Sequence, residues 1–550
     1  MPKQITLIFA LIAIVCAIGW GIDVMDIDAA QYASMSREMM QTGHYLQVYD
    51  LTQDYLDKPP FLFWVSALSM KIFGINGFAY RLPSFLFAVL AVYSTYRLGR
   101  IFYLKEIAIW SALILAGCQA FFLMNHDVRT DTILMGWVIF SLWQLAAWFK
   151  TGRMMHCWIG FAAIAGGMMT KGPIALLVPI FAFGTHFLLQ RQWKNILKWQ
   201  YLAGLILIAV LLMPMSIGLY RQFDQHPEKL VNGAKNVSGL RFFYWTQSFG
   251  RITGESTWNN NSNIFFLLQN MLWAFLPWII FFLMAFFSGI KEILQQKFRI
   301  REQQEAITTG GFLLTYLSLG MSKYQLPHYS FVVFPLAAII TARYLHRLLI
   351  EKKQPRLLSL LKNLHYGIFI LLWLILLYMM GFTFETIPVY APILALAVFA
   401  GLIFMIYKNQ RRNQSFFFIC LYGMIGINFF LNAFFYPSLL QYQAGSTAGN
   451  WLNTQQLPAE NTFLYQYTIW RSLSFNAKGN VLHQDSLQLI KPGSMVITST
   501  AKMKEISQSG RSFELLHQGV DYPVSRLKLK FLNPGTRANE LTGYVILKMK

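Results

Sequence analysis

Apolar runs long enough to cross hydrocarbon recur along this chain, near residues 5–22, 83–99, 106–124, 132–149, 156–170, 173–190, 200–220, 263–288, 306–320, 329–347, 364–381, 386–407 and 414–436. No soluble core needs so many, and the pattern predicts a polytopic α-helical membrane protein with about thirteen transmembrane helices. Composition agrees: 13% of the 550 residues are charged, where a soluble chain carries about 25%. The two runs between residues 156 and 190 are short and interrupted by Gly166, Gly167 and the KGP of Lys171–Pro173. The first run follows Lys3 without a convincing small-x-small cleavage site, so it reads as a retained helix. The stretch 61–74, FLFWVSALSMKIFG, is too short to span and is expected to lie along the interface.

The formal net charge of +22 would suggest nucleic acid in a soluble chain. Here the placement of the cations explains it, and no nucleic-acid partner is expected. With the N-terminus in the cytoplasm, one side receives Lys3, Arg97, Arg100, Lys105, Lys150, Arg153, Arg191, Lys194 and Lys198, then the runs KEILQQKFRIR, RYLHRLLIEKKQPRLLSLLK and KNQRR. The other side receives long, acid-containing loops, so the positive-inside rule predicts a cytoplasmic N-terminus. An odd number of crossings puts everything after Tyr436 outside. The four cysteines lie in apolar runs, which predicts neither a disulfide framework nor a thiolate metal site.

Residues 441–550 change character. Alternating stretches such as GSMVITST and GYVILKMK, bounded by the turn formers of NAKGN and KPGS, read as strands of a small external α/β or mostly β domain. Residues 1–440 form the membrane domain. Nucleotide-binding glycine patterns are missing from the sequence, and no nucleotide cofactor is expected.

The external loops 23–82, 125–131, 221–262 and 321–329 hold the chemistry-bearing residues. Asp23 and Asp26 read as solvated loop acids, whereas Asp28 opens a helical stretch with Tyr32 and Met35 on a similar face. In YLDKPP (Tyr55–Pro60) the prolines hold Asp57 and Lys58 in an extended, rigid segment ahead of the interfacial FLFW. A lysine there suits a lipid phosphate, or a snorkelling anchor. NHDVRTDTIL brings Asp127, Arg129 and Asp131 to the start of a span, with Asp131 in its first turn. MTKGP and MSKYQLPHYSF each place a lysine, Lys171 and Lys323, where an ionisable group is costly without a partner. Polar groups crowd one end of the helices instead of the bilayer midplane, which favours chemistry on a membrane-delivered substrate over transport. Glycosyl transfer from a phospholipid-linked sugar fits, since its leaving group needs cations and its acceptor hydroxyl needs a carboxylate.

The pieces DAAQYASMSREM (Asp28–Met39), YLDKPP, FGINGFAYRLPS (Phe73–Ser84), RTD (Arg129–Asp131), TKGP (Thr170–Pro173) and SKYQLPHY (Ser322–Tyr329) together resemble bacterial lipid-dependent glycosyltransferases. The family is the protein mannosyltransferase and lipid A 4-amino-4-deoxy-L-arabinose transferase superfamily, with the GT-C fold. That resemblance implies a multi-pass enzyme of the bacterial inner membrane whose active site and C-terminal domain are periplasmic. It implies inverting transfer from a polyprenyl-phosphate sugar to lipid A, another envelope glycan or a protein hydroxyl, with aminoarabinose transfer to lipid A the most concrete case. It assigns Asp28 as the principal catalytic carboxylate and Asp131 as a second acidic position. It places Lys58 on the donor phosphate, with Arg251, Tyr55, Tyr329, Lys171 and Lys323 around it, and Asp57 at a divalent-metal site.

One departure stands in RFFYWTQSFGRITG, where the aminoarabinose enzymes carry a histidine three positions before the arginine matched by Arg251. Here that position is Ser248, a poor metal ligand, and His226 lies elsewhere in the loop. A transporter or flippase for a lipid-linked sugar and a non-catalytic assembly scaffold are the alternatives from other classes. A monomer is expected.

Overall fold

The computed structural model describes residues 2–255, 258–351, 354–410, 412–467 and 470–550. Lys352, Lys353 and Arg411, which belong to the basic runs above, lie outside the described residues. Every apolar run is helical, because a helix satisfies its own backbone where no water can. The chain opens with α1 (Pro2–Gly19) and α2 (Asp28–Thr42), the latter closed by Gly43, which takes the left-handed conformation and donates its N–H to Met39 O. A small hairpin, β1 (Tyr49–Asp50) and β2 (Gln53–Asp54), leads to α3 (Phe61–Phe73). Its inner face packs on α2, while Leu68, Ile72 and Phe73 are exposed on the other, as an interfacial helix requires.

The next helices are α4 (Gly77–Phe102), α5 (Lys105–Ala116), α6 (Gln119–His126), α7 (Thr130–Thr151), α8 (Met154–Lys171), α9 (Ile174–Gln190) and α10 (Trp199–Leu219). Asn76 caps α4 by accepting from Ala79 N, and α5 meets α6 at a 53° bend. α7 is buried on nearly all sides between α4 and α8, which fixes the acid in its first turn. After short helices α11 (Gly239–Arg241) and α12 (Phe249–Thr253) come α13 (Phe266–Ala274), α14 (Ile279–Gln295), α15 (Ile307–Gly320) and α16 (Phe334–Leu349), the last entered through a 3₁₀ turn at Pro327–Val333. α17 (Pro355–Tyr378), α18 (Tyr390–Lys408) and α19 (Asn413–Phe430) complete the bundle, and α20 (Tyr436–Leu440) leaves it. Among the described residues seven helical stretches are long and apolar enough to cross a membrane, eight with the bent α5–α6 pair. α9 and α15 are shorter apolar helices, and α1 is another. The chain is a polytopic α-helical membrane protein with a C-terminal region outside the bundle.

That region is α/β. After α21 (Ala444–Thr454), strands β3 (Thr462–Tyr465), β4 (Leu482–Gln484), β5 (Met495–Ser499), β6 (Phe513–Asp521) and β7 (Thr542–Met549) form one sheet of order β4-β3-β5-β7-β6. β3 runs parallel to both β4 and β5, and the other pairs are antiparallel. GSMVITST and GYVILKMK supply β5 and β7, whose apolar residues are buried on both faces. Helices α21 and α23 (Thr500–Gln508) pack on the sheet, α22 (Arg471–Asn476) packs on α21 and α2, and α24 (Leu529–Leu532) lies beyond β6 with Phe531 against Tyr442 and Phe384.

Two seams tie this domain to the bundle. At the first, Asp26 accepts from Ser472 N and Ser472 Oγ, each at 2.7 Å, so it is a docking residue and not the solvated loop acid its sequence suggested. The same seam carries Ser34 Oγ to Arg471 O (3.0 Å) and Arg471 Nη1 to Asp50 (2.5 Å), and Arg37 donates to Asn480. At the second, Arg537 is buried among Phe384, Tyr442 and Phe531 and donates to Thr383 O.

Candidate active site

Five loop segments bring their polar residues to one end of the bundle. Asp28 stands at the first position of α2, where the unpaired N–H groups favour its charge. Arg129, immediately before α7, bridges Asp28 and Asp127, with Nη2 3.0 Å from Asp127. Burial works against this guanidinium's charge, but Asp127 and Asp28 outweigh it and raise its pKa. Two residues on, Asp131 is 1% exposed and paired with Lys171 at the end of α8, while His328 Nε2 lies 3.6 Å away.

The second half of the site is cationic. Lys58 Nζ sits 2.7 Å from Asp57 Oδ2, Arg251 Nη2 is 3.6 Å from Asp57 Oδ1, and Gln247 donates to Asp57 as well. Burial alone pushes the Asp57 carboxyl up, but Lys58 and Arg251 hold it below the usual range. Arg251 Nη1 also donates to Tyr329 OH at 2.9 Å, and the Lys171 ammonium lies 3.8 Å from the centre of the Tyr329 ring. Tyr55 OH reaches Asp57 Oδ2 at 3.5 Å, and burial, then Asp57, raises its pKa.

An open cleft, about 670 Å³ with the solvent at its mouth included, joins the cationic groups to the bundle wall. One end is lined by Lys58, Lys171, Gln247, Arg251 and Tyr329, the rest largely by Ile174, Leu177, Phe249, Ile252 and Leu319. The TKGP turn shapes its floor: Gly172 has φ +99°, a conformation that other residues avoid, and a side chain there would stand 3.6 Å from Ser248 Oγ.

Most residues singled out by the sequence meet here, with two displacements. Lys323 is exposed and lies outside the cavity; its ammonium rests against Gly254, and its backbone N–H holds Arg251 O at 3.2 Å. His226 pairs with Glu228 on the surface, far from the role of metal ligand. Among the described residues, no three His, Cys, Asp or Glu side chains are grouped so as to hold a metal ion. Sequence reasoning gave no role to Arg129, His328 or Gln247. The first two were visible only as neighbours of Asp131 and Tyr329 in RTD and LPHY, and Gln247 carried no signal at all.

Comparison with known proteins identifies the fold. Residues 57–217 match the family model described as dolichyl-phosphate-mannose-protein mannosyltransferase. An undecaprenyl phosphate-alpha-4-amino-4-deoxy-L-arabinose arabinosyl transferase of Erwinia tasmaniensis is 25% identical over 327 residues, 58% of this chain and 54% of that protein. Its counterpart in Pseudomonas aeruginosa is 26% identical over 332 residues, 58% and 56% of the two chains. The match thus spans a little over half the length of these relatives. The crystal structure of ArnT from Cupriavidus metallidurans bound to undecaprenyl phosphate superposes with a TM-score of 0.73 at 17% identity, covering 99% of this chain and 98% of that one. The fold is GT-C. The GT-C chain shares its sequence signal with the lipid-dependent glycosyltransferases, and the family model covers Asp57, Lys58, Asp131 and Lys171 of the cluster.

Proposed function

We propose that this GT-C protein transfers a sugar, with inversion, from a polyprenyl-phosphate donor to a hydroxyl of an envelope acceptor. The observation that carries the reading is the two-part cavity, apolar along much of its wall and cationic at one end, in the same loop cluster as the part-exposed Asp28 carboxylate. A lipid phosphate matches such a cavity: its chain lies against Ile174, Leu177 and Leu319, and its charge meets Lys58 and Arg251. The acceptor oxygen attacks the anomeric carbon while the bond to the phosphate oxygen breaks. Asp28 takes the acceptor proton, and the phosphate leaves with the bonding pair, its charge met by Lys58, Arg251 and Tyr329 OH. Arg129 holds Asp28 in place and Asp131 holds Lys171.

A divalent cation does not fit at Asp57, whose carboxylate already faces two cations, with Ser248 in place of a histidine. No step is assigned to one. The proposed sugar is 4-amino-4-deoxy-L-arabinose, in line with the names of the similar proteins, and the proposed acceptor is lipid A, as the sequence resemblance implies. A protein hydroxyl is the second acceptor class, in line with the mannosyltransferase model. The thirteen apolar runs are read as thirteen crossings of the bacterial inner membrane, the bent α5–α6 pair counting once and the consecutive helices α13 and α14 together counting once. The N-terminus then lies in the cytoplasm, with the cluster and the C-terminal domain in the periplasm. Support comes from the loop ends: Lys150, Arg153, Arg191, Lys194 and Lys198 fall at the ends of α7–α10 opposite Asp131 and Lys171.

The test is reconstitution in liposomes with radiolabelled polyprenyl-phosphate sugars and candidate acceptors. The native protein forms a glycosidic product and Asp28→Asn does not. Equal transfer by both, or movement of the donor across the bilayer without a new bond, overturns the reading.

A further inference from the structure

From the end of β6 into the first turn of α24 the chain runs YPVSRLKLK, residues 522–530. Leu527 is 43% and Leu529 85% exposed, and they alternate with Arg526, Lys528 and Lys530. The segment is built, not loose. Tyr522 OH donates to Arg526 O (2.9 Å) and accepts from Lys528 N (3.0 Å), and its ring stacks on Phe531 with centroids 3.6 Å apart. Thr536 Oγ1 ties down Lys530 O at 2.6 Å. A closed frame therefore holds two leucines outward at the cost of exposing apolar surface.

The frame also sits at the membrane end of the domain. Phe531, whose ring is buried, packs 6.1 Å from Phe384 in the turn between the spanning segments Pro355–Thr383 and Tyr390–Lys408. Around that turn Phe382, Val389 and Tyr390 are exposed, as residues at a lipid boundary are. Lys528 is paired with Glu540 at 2.8 Å, but Arg526 and Lys530 have no ion pair among the described residues.

We infer that residues 526–530 form a membrane-seating strap: Leu527 and Leu529 enter the headgroup boundary of the leaflet beside the C-terminal domain, and Arg526 and Lys530 bind anionic lipid phosphates there. Such a segment needs both halves, since neither its small apolar area nor its two cations alone hold firmly at an anionic surface. Seated this way, the domain is held at a fixed tilt, and through Ser472 on Asp26 so is the helix that begins at Asp28.

All four native cysteines are buried, so Leu529→Cys gives one site for a bimane label on the full chain in nanodiscs. The expected emission is blue-shifted and quenched by lipids spin-labelled near the headgroup, at least about twofold more strongly with phosphatidylglycerol than with phosphatidylcholine alone. Adding Arg526→Ser and Lys530→Ser abolishes that difference. Water-like, unquenched emission in both lipids overturns the strap and marks the patch as a soluble partner's surface. Quenching that ignores lipid charge, or a difference that survives the two serines, overturns the phosphate contact. None of these readings depends on sugar transfer.

Discussion

Lys58 and Lys171 are both lysines of the cationic end, but their partners give them different work. Lys58 shares Asp57 with Arg251 and Gln247, so its removal leaves that carboxylate still paired. Lys58→Ala is expected to fold normally and to raise the KM for donor by about tenfold or more, the loss of one charge-assisted phosphate contact. Lys171 is the principal partner of an acid with 1% exposure. Lys171→Ala leaves that charge buried, and a loss of about 3–5 kcal/mol of stability is expected. Thermal unfolding read by a thiol-reactive dye at the buried cysteines measures both variants; unfolding of Lys58→Ala at a lowered temperature would make it structural too. A second substitution, Asp131→Asn, is expected to recover much of the stability lost in Lys171→Ala.

At the scale of elements, the seam between α2 and α22 carries a titration. Burial, only partly offset by the Ser472 contacts and Arg471 and reinforced by nearby Asp521, raises the Asp26 pKa from 3.8 to about 6. A carboxyl whose pKa rises on docking is stabilised there as the neutral acid. The contribution is present in full below pH about 4 and is lost as pH rises through about 6. Asp26→Asn can keep both contacts without the charge, its amide oxygen accepting from Ser472 N and its NH2 donating to Ser472 Oγ, so it should stabilise the protein at pH 7.5 by about 1–2 kcal/mol and flatten the pH profile between 4 and 7. A melting profile that stays as steep in the variant would contradict this account of the seam. The helices themselves were legible in the sequence because apolar runs and basic ends follow from hydrocarbon thickness and charge placement. The seam was not: Asp26 lies 446 residues from Ser472, and no local pattern carries a pairing across that distance.

For the whole molecule, the proposed reaction uses the membrane bundle as the lipid slot and the loops as its charged end. Asp28, Lys58, Asp131 and Lys171 were individually readable because each is an ionisable residue placed beside an apolar run, where its presence needs a reason, whereas Arg251 was readable only through the family resemblance of its segment. Their pairing was not, since Arg129 with Asp28 and Arg251 with Tyr329 depend on how distant loops meet. Lys323 shows the limit of that reasoning: a lysine in the same kind of loop serves through its backbone while its ammonium stays outside the cavity. Anchoring of the C-terminal domain depends on Arg537. Arg537→Ala removes a buried cation from among Phe384, Tyr442 and Phe531, and protease release of the domain is expected to accelerate while the bundle stays folded. The reaction proposed for the protein is sugar transfer through Asp28. Its most direct test is to follow donor, released polyprenyl phosphate and product together in liposomes, with the product's anomeric configuration read by NMR. Equal amounts of phosphate and an inverted glycoside from the native protein, and neither from Asp28→Asn, are the predicted result. A product that retains the donor's configuration, or full activity without the Asp28 carboxylate, would contradict it.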